Sequence, residues 1–153
     1  VWPLLVFAGL LQAVALAWMA RSGDAVPAEM AWVVLAKPAT LGLVLPFALH
    51  ESAHVLVLKR IPTVTHLAIE RTAWRTSVVA EGTMTARQTA AVALAGPAAC
   101  VAAGAVLWLP GLDRALAWWY FAHLLFLLPF FGDGRALWHA FRTRRRGPGG
   151  TAH

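Results

Sequence analysis

His50, Glu51 and His54 fall within "FALHESAHVLVL", a stretch that is otherwise apolar apart from Ser52. Residues four apart in a helix share a face, one turn along, so both imidazoles can reach a single ion. Glu51 is rotated about 100° around the helix from His50 and can act on a water beside that ion. Two neutral imidazoles with an adjacent carboxylate as general base form the donor arrangement of a zinc hydrolase. Each ionisable group in a membrane helix costs about 3 kcal/mol or more, and a bound cation compensates for that cost. The plain alternative is a pair of capping or interfacial histidines near a membrane surface.

The elements around these residues are those of a membrane protein. Of 153 residues, 59% are hydrophobic and 13% charged, against about 45–50% and about 25% in soluble domains. The excess is gathered into blocks near the roughly 20 residues that cross a hydrocarbon core. Four spans are expected, at 2–20, 31–58, 88–109 and 115–131, with a tail helix to 141 after "GDG". The second is overlong and punctuated by Pro38 and Pro46. The expected fold class is therefore an all-α polytopic membrane protein of about four transmembrane helices. Residues 1–141 form a single membrane-embedded domain, and 142–153 form a basic disordered tail. The first block lacks a basic n-region and reads as a span rather than a cleaved signal peptide. The connection "TVTHLAIERTAWRTSVVAEG" has strand-like alternation and is read either as a short β-hairpin at the membrane surface or as an irregular loop. Thr83 or Thr85 is an expected N-cap for the third span.

Charge supplies direction. "RSGDAVPAE" is poor in basic residues, whereas Lys59, Arg60, Arg71, Arg75 and Arg87 fill the long connection and "FRTRRR" the tail. Basic loops stay cytoplasmic, so both termini and the 59–87 connection are expected on that side, in a bacterial plasma membrane. Tryptophans near block ends, such as Trp2, Trp18, Trp118 and Trp119, fit the headgroup region. The net charge of +6 is spent on membrane flanks, and no basic face with interleaved aromatics suggests nucleic-acid binding. One cysteine, Cys100, excludes an intramolecular disulfide and a CxxC site.

A hydrolytic zinc site usually has three protein ligands and one open position. The candidates for the third are His66, His123, Asp133, His139 and His153. Measured from the basic flanks at 1.5 Å per residue, His50 and Asp133 both come out about 13 Å deep. His123 would lie roughly 15 Å further out on the same helix. Depth therefore favours Asp133, whose flanking glycines let the helix break and aim a carboxylate inward. The simpler reading of "GDG" is a turn between a span and a tail helix.

HExxH in one span, "LAGPAAC" in the next and "LLPFFGDGRAL" in the last resemble the site-2 protease family of intramembrane zinc metalloproteases. The resemblance runs from about Leu41 to about Leu137. It implies one Zn2+ per chain held by His50, His54 and Asp133, with Glu51 as the catalytic base. It places Gly96, Pro97, Phe126 and Pro129 along the substrate path. Phe126 and the Ala99–Cys100 pair stand where family members commonly carry asparagines. The implied activity is hydrolysis of a peptide bond in or near a transmembrane helix of a substrate protein. The implied partners are that membrane-protein substrate, the lipid bilayer and a regulatory membrane protein, with no nucleic acid. The competing class is a non-catalytic, metal-binding scaffold that binds partner helices through "AGPAACVAAGA".

Overall fold

The computed structural model describes residues 2–71 and 76–145. Helix α1 spans Trp2–Ser22, α2 Val26–Leu58, α3 Ala86–Trp108, α4 Arg114–Leu127 and α5 Gly132–Arg145. Strands β1 (Val64–Arg71) and β2 (Thr76–Gly82) pair antiparallel between α2 and α3. The chain is thus mostly helical. Helices α1, α2 and α3 are each long and apolar enough to cross a membrane, and α4 with α5 makes a fourth crossing if the bent pair counts as one. Large apolar side chains face outward along these helices, among them Phe7, Leu10, Val34, Leu56 and Val106. That outward face suits lipid, in which apolar side chains need no cover.

Helix α2 starts at Val26, ahead of the expected 31, because Pro27 suits the first helical turn, where its missing N–H removes nothing. Pro38 does not end the helix. The backbone widens into π-helical turns over Trp32–Ala36 and Pro38–Val44 and returns to α geometry at Leu45. Wider turns redistribute the hydrogen bond that proline cannot donate. Helix α3 is fixed at its start by Thr85, whose side chain accepts from the Gln88 N–H while the Gln88 side chain accepts from the Thr85 N–H. This is the reciprocal capping box. Helix α5 continues to Arg145 rather than ending at 141, since Arg and Thr carry only a small helix penalty. The rest of the expected tail, 146–153, lies outside the described residues.

The site-bearing helices gather around α3, which packs against α2, α4 and α5, while α1 lies along the N-terminal half of α2. Close approach rests on small residues. A Cβ on Gly96 would meet the His50 ring at 2.7 Å, and one on Gly104 would meet Phe121 at 2.7 Å. Near the other end of the bundle, Lys37 of α2 forms an ion pair with Asp113, which also caps α4 by accepting from the Leu116 N–H at 2.9 Å. Lys37 and that backbone bond hold the Asp113 carboxyl below its ordinary range.

The sign of the resulting pH dependence follows from linkage. A carboxyl depressed in the folded state adds stability above its unfolded pKa, about 3.9, and that stability is lost as pH falls through the folded value. Asp113→Asn is therefore expected to unfold earlier than wild type near neutral pH, and the gap is expected to close well below pH ~3.9. Thermal unfolding in detergent at the two pH values measures it.

Candidate metal centre

Three histidines are buried among the described residues: His50, His54 and His123. They lie together where α2, α3 and α4 meet. His50 and His54 share one face of α2, their Nε2 atoms 3.1 Å apart. Asp133, in the first turn of α5, brings Oδ2 to 3.0 Å from His50 Nε2 and Oδ1 to 3.4 Å from His54 Nε2. One nitrogen from each imidazole and one carboxylate oxygen lie within 4.8 Å of one another.

Local backbone fixes the chemistry of this group. His54 Nδ1 is 2.7 Å from the Val92 carbonyl of α3, which can only accept. The proton of neutral His54 is therefore on Nδ1, and Nε2 presents a lone pair towards Asp133 and His50. Asp133 reaches the histidines because the chain changes course between α4 and α5. Residues Ala122–Leu127 tighten into a 3-10 turn, Leu128 is extended, and α5 departs at 42°. Gly134 allows the crossing, since a Cβ there would fall on the Leu128 carbonyl. Half-buried Glu51 lies on the same turn of α2, between the two histidines in sequence.

The donor set fits a metal ion. Two imidazole nitrogens, one with its tautomer set by a backbone carbonyl, face the oxygens of one carboxylate in a mostly enclosed position. Such N,N,O sets suit zinc and also accept iron or cobalt.

The remaining sequence candidates divide clearly. Gly96 presses on the His50 ring and Pro97 is fully buried behind it. Phe126 packs 5.0 Å from the His50 ring and 5.3 Å from that of His123. Pro129 is exposed in the turn before α5. His66 and His139 are exposed, and His153 lies outside the described residues. The estimate of His123's depth needs correction. Its ring centroid is 5.5 Å from that of His50, where a straight helix would set it roughly 15 Å further out. The rise per residue of a straight α-helix does not hold where Leu128 turns extended and α5 departs at 42°. Cys100, absent from the sequence candidates, is buried beside the same histidines. No one-dimensional signal marks it, since its place depends on which face of α3 meets the His50 ring.

No protein-family model, curated protein or solved structure matches this chain.

Proposed function

We propose that this chain is an intramembrane zinc metalloprotease of the site-2 protease kind, cleaving a peptide bond in or near a transmembrane helix of a substrate protein. The observation that carries the reading is the meeting of His50, His54 and Asp133, from two separate helices, around one point beside Glu51. Zinc held by these three residues supplies a Lewis acid for the scissile carbonyl and brings the acidity of water towards neutrality.

The chain's own groups perform the rest. The Glu51 carboxylate takes a proton from water and returns it to the leaving amine. The Val92 carbonyl holds the His54 ring in its working orientation. Phe126 covers one side of His50 and keeps solvent from it. A substrate helix must unwind locally, since an intact helix shields its own amides. Basic loop charges support a centre nearer the cytoplasmic side, with both termini there, which would give water a short approach. The strand pair between α2 and α3 lies at that surface in this reading, within reach of an extended substrate segment.

The scaffold alternative is less well supported. Its small-residue face on α3 is already filled by His50 against Gly96 and by Phe121 against Gly104.

Metal analysis of detergent-purified protein tests the centre. His54→Ala and Asp133→Ala are each expected to hold one zinc fewer per chain than wild type, with helical content unchanged. Equal metal in all three proteins would overturn the assignment.

A further inference from the structure

His50 faces two ways. Its Nε2 is taken up by His54 and Asp133, whereas its Nδ1 is fully buried with no hydrogen-bond partner. A buried polar atom left unpaired is uncommon and calls for a reason. A second set of donors supplies one, for His50, Cys100 and His123 each offer a ligand atom within 4.8 Å of the others. The three are 3%, 0% and 8% exposed and come from α2, α3 and α4.

We propose that His50, Cys100 and His123 form a second cation site for a thiophilic divalent ion of the zinc class, sharing the His50 imidazole with the first centre. Each donor is prepared for the role. His123 Nδ1 is 3.1 Å from the Trp119 carbonyl and must donate to it, so the neutral ring keeps the lone pair on Nε2. Cys100 Sγ is 3.3 Å from the Pro46 carbonyl, one turn before His50; the thiol's bond to that carbonyl keeps Sγ among these residues and is given up when the thiol proton leaves. The His50 nitrogen that remains for this site is Nδ1. Phe126, against both His50 and His123, closes the site with an apolar ring. One thiolate and two imidazoles are the soft and borderline donors that select zinc over calcium or magnesium.

The proton balance is explicit. Binding at the second site releases the Cys100 thiol proton to solvent. When both sites are filled, His50 bridges them as imidazolate and a second proton leaves from its ring. Thiolate and imidazolate together balance the charge of the added ion, as an enclosed site in a membrane helix bundle requires. The inference concerns binding alone and does not rest on peptide hydrolysis.

Cobalt(II) titration of the metal-free, full-length protein in detergent decides the matter. Wild type is expected to take two equivalents, one of them giving a thiolate-to-cobalt charge-transfer band in the near ultraviolet. Cys100→Ser is expected to lose that band and one equivalent. Asp133→Ala is expected to lose the other equivalent and keep the band, which separates this site from the first. Wild type saturating at one equivalent without the band, or Cys100→Ser still binding two, would overturn the proposal. The wild-type spectrum is informative even if a variant fails to fold.

Discussion

A Glu51→Gln chain is expected to keep its metal and lose its hydrolysis. Glutamine matches glutamate in size and hydrogen-bonds at the same position, but it cannot take up a proton at neutral pH. Glu51 belongs to neither donor group that surrounds the histidines, so the substitution leaves those donors in place. Loss of a general base costs about 10²–10⁴-fold in rate. Cleavage of a transmembrane-helix reporter in proteoliposomes, with metal content measured on the same preparation, reads both quantities. Glu29→Gln, an exposed carboxylate near the start of α2, is the matched control and is expected to cleave at the wild-type rate. Undiminished cleavage by Glu51→Gln would remove Glu51 from the mechanism.

Much of the site was legible before any coordinates, because two of its determinants are one-dimensional. Four-residue spacing puts His50 and His54 on one face of any helix. Loop charge and rise per residue set Asp133 level with His50, and the structure has these two 3.0 Å apart. What was hidden depends on lateral packing. Nothing in the string "LAGPAAC" says that the Gly96 face meets the His50 ring, or that Cys100, one turn on, meets its other neighbours. His123 was misplaced for a related reason. A depth taken along a straight helix fails there, because the chain leaves helical geometry at Leu128 and bends before α5. The pairing of Lys37 with Asp113 was equally invisible, since α2 carries Lys37 in a run with no regular charge pattern. Pro38 and Pro46 punctuate the expected 31–58 span without ending it, and the π-helical turns that absorb Pro38 leave no mark in the residue pattern.

The largest effect expected from a residue with no chemistry of its own belongs to Gly134. The turn joining α4 to α5 is so tight that a Cβ on Gly134 would fall on the carbonyls of Leu127 and Leu128. Alanine would set its methyl onto the Leu128 oxygen, a backbone atom that cannot rotate aside as a side chain can. The strain must then be relieved by moving the start of α5, and Asp133 is the preceding residue. Overpacking of this kind costs roughly 1–3 kcal/mol. At about 1.4 kcal/mol per tenfold, the ion shared by His50, His54 and Asp133 is expected to be held on the order of 10–100-fold less tightly. Competition with a graded chelator measures that loss, and circular dichroism checks that the helices persist. Gly9→Ala provides the comparison, since a Cβ there meets nothing within 4 Å, and alanine in a helix interior is neutral to favourable. The two alanines differ only in what lies against them. Wild-type metal retention in Gly134→Ala would mean that Asp133 reaches the histidines without the close crossing of α4 and α5, and that the bend is not what positions the third donor.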